Sequence, residues 1–250
     1  MKIININVEF GYILPPLLRL IESEKPDILC AQEVLQSQQK IALSDNYQTL
    51  THIKEAGEFE QVFFAPTWGY EAFGTHLDMG NTVFSKFPLS KKETRFINGD
   101  YTPKQTAEGF DYNIRNLQVC EAQTPAGKIF IANHQGFLEA KNPMGNEETV
   151  LYTKKVADYL KPYTKSLIFC ADLNIVKESP AFKPIGGLGL RNLTAEHNVK
   201  TTLSEVHRAP NNNEIACDYI FVSPNVKTKA FSVPDAIVSD HKALILEFDL

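Results

Sequence analysis

The chain has 250 residues, 43% of them hydrophobic and 22% charged, and a formal net charge of −5. That mixture is enough to bury a core and excludes a disordered chain, and the acidic balance argues against a general electrostatic grip on a nucleic-acid backbone. No apolar run approaches the length of a membrane span, and MKIININVEF alternates polar with apolar residues where a signal peptide is continuously apolar, so the chain is expected to stay in the cytoplasm.

In chain order, KIININV reads as a strand with Asn5 and Asn7 on one face. ILPPLLRLIESE follows as a helix, with Leu14, Leu17, Leu18 and Ile21 on one stripe and its prolines at the start, where they do least harm. PDILCAQEV is an apolar strand ending in Gln32 and Glu33, and QVFFA and NTVFSKF are strands, with Asn81 after Gly80 as a turn residue. The stretches 51–80 and 98–113 are glycine-bearing, aromatic and irregular; they read as surface loops in which substrate choice resides. Their aromatic residues Trp68, Tyr70, Phe73, Tyr101, Phe110 and Tyr112 either pack the loops, the commoner meaning, or stack on a base.

RNLQVCEA begins at Arg115, and KIFIANH ends in Asn133 and His134. NEETVLYTKKVADYLKP is a helix capped by Asn146 and stopped by Pro162, with Val150, Ala157 and Leu160 on one side and its lysines on a solvated face. SLIFCADLN is a strand carrying Asp172 and Asn174, and Ser179 before Pro180 starts a short helix. CDYIFVS, KTKAFSV and ALILEFDL complete the strands, with Asp218 heading the first of these and Asp240 and His241 in the turn before the last. Many strands, few helices and no break rich in Gly, Ser or Pro give one domain over residues 1–250. The four cysteines lie in apolar runs without CxxC spacing and read as buried, reduced strand residues.

In an extended chain Asp172 and Asn174 share a face, and burying that pair without partners is costly, so it meets water, a polar network, or a metal and its ligand. Each polar strand-end residue alone has an ordinary explanation. Asn7 bridges strands, Glu33 starts a helix, Asp218 closes a turn, a single histidine is structural, and Arg115 is an exposed strand-end residue. Together they select a chemistry. Glu33 and Asp240 are hard oxygen ligands suited to Mg²⁺ or Mn²⁺. His134 and His241 can move protons near neutral pH, and Asp218 beside His241 can hold its tautomer; Arg115, a further candidate outside that set, either clamps a phosphate or is simply exposed. Phosphate-ester hydrolysis needs neutralised phosphoryl oxygens, an oriented water and help for the leaving group.

The ordered words ININ, PDILCAQEV, GNTVFSKFP, IANHQG, FCADLN, CDYIFVS and VSDHKAL resemble the endonuclease/exonuclease/phosphatase superfamily over nearly the whole chain. The resemblance implies an α/β (α+β) four-layer sandwich of two mixed β-sheets flanked by helices, with the site at one end. It implies Glu33 as the main metal ligand with Asn7 and Asp240 close by, and Asp172 and Asn174 orienting water and phosphate. It further implies Asp218–His241 as general base or electrophilic support, His134 on the phosphate or leaving group, and Mg²⁺ or Mn²⁺ as cofactor. The expected activity is that of a metal-dependent phosphodiesterase or nuclease acting, as a monomer, on a phosphate ester such as single-stranded or damaged nucleic acid. The competing expectations are a phosphatase or phosphodiesterase of a small molecule or lipid headgroup and, last, a non-catalytic binding module.

Overall fold

A computed structural model of the chain describes residues 1–39, 44–106, 110–139, 142–207 and 215–250. Its strands are β1 (Lys2–Asn7), β2 (Ile28–Ser37), β3 (Gln61–Ala72), β4 (Thr75–Ser85), β5 (Leu89–Asn98) and β6 (Arg115–Thr124), then β7 (Gly127–Gln135), β8 (Leu167–Asp172), β9 (Arg191–Asn192), β10 (Asp218–Val222), β11 (Lys227–Ser232) and β12 (Leu244–Asp249). They form two six-stranded mixed sheets, ordered β11-β12-β1-β2-β4-β3 and β5-β6-β7-β8-β10-β9. Each sheet holds one parallel pair, β1 with β2 and β7 with β8, and each pair is joined through a helix, α1 (Leu14–Glu24) or α3 (Glu147–Leu160).

Side-chain alternation builds the layers. In β1, Ile3 packs between the sheets against Ile131 and Ile168, whereas Ile4 and Ile6 pack outward with Leu14, Leu17 and Ile21 of α1. In β8, Ile168 and Cys170 face inward, while Leu167, Phe169 and Ala171 pack outward with Val156, Ala157 and Leu160 of α3. The result is the expected four-layer sandwich. The Asn146 side chain and that of Thr149 form a capping box at the start of α3. Its lysines are on the solvated face, with Lys154 and Lys161 both paired to Asp158.

The reading of 51–80 as loop is overturned. Its first residues belong to α2 (Thr49–Ala56), and the rest form a long hairpin of β3 and β4. The hairpin turns at Phe73 and Gly74, both at positive φ (54° and 74°), so phenylalanine stands where a two-residue turn of this hand favours asparagine or glycine, and the turn signal is hidden. Strand β5 is a sheet edge whose exposed Lys91, Lys92 and Glu93 protect it from further pairing and also mask it as a strand. Residues 99–114 carry no helix or strand apart from a Trp68–Thr102 bridge, with 107–109 outside the described residues. All four cysteines are buried and free, and no described helix is long and apolar enough to cross a membrane.

Candidate active site

Inward-facing positions change from apolar to polar toward one end of both sheets. Ile3 is followed by Asn5 and Asn7, Cys30 by Gln32, Ile131 by Asn133 and Gln135, and Cys170 by Asp172. The deeper amides tie the sheets together. Gln32 Nε2 donates to Asn5 Oδ1 at 2.9 Å and to Asn133 Oδ1 at 2.7 Å, and Asn133 Nδ2 donates back to the Ala31 and Thr82 carbonyls. Asn81 is likewise no turn residue: it lies in β4, 1% exposed, and donates to Asn116 across the sandwich. Gly80 is required beside it, since a Cβ there would stand 2.2 Å from the Ala65 carbonyl oxygen.

Glu33 does not end its strand. β2 continues to Ser37, and the register slips between Ala31, paired with Thr82, and Val34, paired with Gly80. Two residues of β2 therefore oppose one of β4, and Glu33 sits in this bulge at φ 56°. A non-glycine residue in that region costs about 1–2 kcal/mol, the strain that accompanies aiming a carboxylate. Glu33 Oε1 accepts from Asn7 Nδ2 at 3.1 Å and from Gln135 Nε2. Gln135 in turn accepts from Arg115 Nη1 at 3.1 Å, and Arg115 Nε donates to the Gly136 carbonyl at 2.7 Å.

Arg115 is 4% exposed, which removes the reading of an exposed strand-end residue. Burial lowers its pKa from the usual value, and Glu33, Asp172 and Asp111 oppose that effect. Asn7 is placed as a donor rather than a ligand. Its Oδ1 accepts from the Glu9 backbone N–H at 3.0 Å, which turns its amide nitrogen toward Glu33 and Asp172, 3.1 Å from each.

Asp172 and Asp218 stand directly opposite each other in the β8–β10 register, and both are fully buried. His241 Nδ1 lies 2.9 Å from Asp218 Oδ2, an oxygen that also accepts from Thr202 Oγ1 at 2.5 Å and from Cys217 Sγ at 3.5 Å, while Asp218 Oδ1 has no partner among the described residues. Burial and the facing Asp218 push the Asp172 carboxyl up to about 6. Burial pulls the His241 imidazole down, but the Asp218 and Asp172 carboxylates outweigh it and hold its pKa well above the usual value. Burial pushes the Cys217 thiol up to about 12, so it stays protonated. Beyond Asp172 the strand ends. Asn174 turns at φ 55° with its N–H on Asp172 Oδ1 at 3.0 Å and its side chain on the Gly136 carbonyl at 3.2 Å, so a turn rather than strand alternation keeps the two together.

Two groups of side chains converge closely enough to surround an ion, Asp172 with Cys217, Asp218 and His241, and His207 with Asp240 and His241. Both share His241. Glu33 lies outside them and joins through Asn7. Thr202, Cys217, Gln135 and His207 were not among the expected site residues. Thr202 receives the backbone N–H groups of Cys217 and Asp218, each at 3.1 Å, as well as donating to Asp218.

The role expected of His134 is not supported. It pairs with Leu117 and Ala171, which both belong to the outward-packing cluster, so it lies on the face opposite Asp172. It is 2% exposed with Nδ1 on the Asn116 carbonyl at 2.9 Å, and burial lowers its pKa to about 4, leaving it neutral at pH 7. A neutral ring that gives its proton to a carbonyl has no charge for a phosphate. Its neighbour Gln135, in register with Asp172, holds the inward place. Gln135→Ala should therefore lower kcat/KM on a phosphate ester by about tenfold or more, whereas His134→Gln should stay within about threefold of wild type. Steady-state kinetics on the two variants checks the pair, and the reverse ranking would restore His134 to the site.

The Endonuclease/Exonuclease/phosphatase family model matches residues 4–241. Among solved structures, an endonuclease/exonuclease/phosphatase from Beutenbergia cavernae superposes with a TM-score of 0.75 at 15% identity, over 100% of this chain and 71% of that one. A family protein from Leptotrichia buccalis gives a TM-score of 0.71 at 17% identity, with both chains covered in full at 100%. A mannosyl-6-phosphatase from Bacteroides thetaiotaomicron gives 0.69 at 14% identity, again with 100% of both chains covered. At these identities the likeness is one of fold. No match is found among curated proteins. The chain belongs to the endonuclease/exonuclease/phosphatase family.

Proposed function

We propose that this member of the endonuclease/exonuclease/phosphatase family is a divalent-cation-dependent phosphodiesterase or nuclease. The observation that carries the reading is the in-register pair of buried carboxylates, Asp172 and Asp218. Like charges directly opposite on neighbouring strands destabilise a sheet. Among the described residues no lysine or arginine forms an ion pair with Glu33, Asp172, Asp218 or Asp240; the partners are the imidazoles of His241 and His207. Such a concentration of acid is explained by a function that needs it.

The donor set fits a hard cation. The oxygens of Glu33, Asp172 and Asp240 suit Mg²⁺ or Mn²⁺, and the protonated Cys217 thiol makes a poor ligand for a softer metal. Glu33 and Asp240 would hold the cation, which would supply neutralisation of the phosphoryl oxygens. The chain's own groups do the rest. Asp172, raised to about 6, is ionised at neutral pH yet basic enough to take a proton from an attacking water. Asn7 and the Asn174 backbone N–H fix both of its oxygens. Asp218 holds the His241 imidazolium, which presents positive charge to the phosphate. Gln135 and Arg115 brace Glu33 from behind.

The competing reading is a small-molecule phosphomonoesterase, supported by the sugar-phosphate activity in the name of the Bacteroides neighbour. An assay of chelated protein with and without Mg²⁺ or Mn²⁺ separates the possibilities. Its substrates are single-stranded DNA, RNA, a synthetic phosphodiester and mannose 6-phosphate. The expected result is cation-restored cleavage of the diesters. Turnover of the monoester alone would favour the phosphatase, and turnover undiminished by chelator would overturn cation dependence.

A further inference from the structure

Flanked in the chain by Asn7, Glu33 and Arg115 is a pocket of about 360 Å³ with no charged residue among those that line it. Its wall is a run of five touching rings. Trp68 packs edge-on to Phe110 with centroids 4.8 Å apart, and Phe110 meets Tyr112 at 4.5 Å; on the other flank Phe10 lies 6.3 Å from Trp68 and 5.8 Å from Tyr12. The loop aromatics do pack one another, as the commoner sequence reading holds, yet they pack around a space instead of filling it. The two outermost rings stay open, Tyr12 at 63% and Tyr112 at 64% exposure. Trp68, by contrast, is 5% exposed, and its buried indole N–H has no partner among the described residues.

The pocket adjoins the site through the chain itself. Phe10 follows Asn7 by three residues, Leu35 follows Glu33 by two, and Tyr112 precedes Arg115 by three. Three residues span at most about 10 Å, the reach of a phosphate and the group it esterifies. A second link runs through Asn116, which donates to the Pro66 carbonyl two residues before Trp68 and directly follows Arg115.

Resting on the proposed phosphoesterase activity, we propose that this pocket holds a planar aromatic ring of the substrate, one short linker away from the phosphorus. Volume suits a ring of one or two fused cycles. Most of the wall is ring surface, which suits a flat apolar face. The Gln105 side chain in the wall is already engaged at both ends by the Asp111 backbone. Stacking between aromatic faces needs no hydrogen bond. The acidic chain adds that the substrate is short, with its grip coming from the ring rather than from a long backbone.

Trp68 is the only tryptophan of the chain, so its fluorescence reports the pocket without any need for turnover. Chelated protein is titrated with adenosine monophosphate, phenyl phosphate and ribose 5-phosphate. Saturable quenching by adenosine monophosphate, absent with ribose 5-phosphate and weakened about tenfold in Tyr12→Ala and Tyr112→Ala, assigns the ring to a nucleobase. The same pattern with phenyl phosphate in place of the nucleotide supports the pocket and assigns the ring to an aryl ester. Quenching by neither, or equal quenching by ribose 5-phosphate, overturns the inference. Cation-dependent turnover without quenching would remove the pocket and leave the enzyme, and quenching without any turnover would do the opposite.

Discussion

Asp172→Asn is expected to lower kcat/KM by about 10³-fold or more while making the metal-free protein more stable, relative to wild type, as the pH rises. The loss in rate would follow from removing the carboxylate proposed to accept a proton from water, a contribution of about 10²–10⁴ on its own. The gain in stability follows from linkage. The folded carboxyl titrates at about 6 against an ordinary value of 3.8, so the native state binds this proton more tightly than the unfolded chain does. Stability from this group is therefore complete below about pH 3.8, falls as pH rises toward about 6, and stays reduced above that.

Asparagine carries no charge to be desolvated, so that slope disappears in the variant. Against it stands one lost contact, because Asn7 Nδ2 donates to Asp172 Oδ2 and would meet an amide nitrogen if the substituted side chain keeps its oxygen toward the Asn174 N–H. That loss is about 1 kcal/mol and changes little with pH. The measurement is thus the difference in Tm between variant and wild type from pH 4 to pH 8, which should grow in favour of the variant. A difference that is flat, or that shrinks with pH, would show that burial and the facing Asp218 do not raise the Asp172 carboxyl.

The second large effect is expected at Asp218→Asn. This carboxylate accepts from His241 Nδ1 and is fixed by Thr202 and the Cys217 thiol, and it is the strongest opponent of the desolvation that would discharge the imidazole. An amide holds neither the charge nor a unique orientation there. Activity should fall by about 10³-fold, the scale on which mis-set imidazoles fail. The alkaline limb of the kcat/KM profile should also move to lower pH by about one unit or more, because His241 loses the charge that keeps it protonated. The pH profile is what separates this from a merely structural role. A variant that loses rate with an unmoved alkaline limb would detach His241 from the chemistry.

Much of this was legible in the chain. Runs such as KIININV and LIFCAD show apolar residues alternating into amides and acids, and that alternation is the physical reason the site lies between the sheets at their polar ends. Asp172, Asp218 and His241 meet as the sequence suggested. Four things were hidden. The inward residue of IANHQG is Gln135 rather than His134, and because strand faces alternate, an error of one position inverts the assignment. Glu33 is aimed by a bulge, which depends on pairing with Gly80 and not on any local signal. Thr202 and His207 come from a stretch with no periodic pattern, brought in by contacts such as Lys242 N–H to the Thr202 carbonyl at 2.7 Å. The Phe73–Gly74 turn concealed the hairpin that carries Trp68, so the aromatic pocket could be seen only as loop composition.

The account turns on whether these acids gather one cation. Calorimetric titration of Mn²⁺ into chelated wild-type protein and into Glu33→Gln tests it most directly. Saturable binding by the wild type, weakened about tenfold or more when the bulged carboxylate becomes an amide, is the result predicted. No binding by the folded wild type, or equal binding by both proteins, would contradict it.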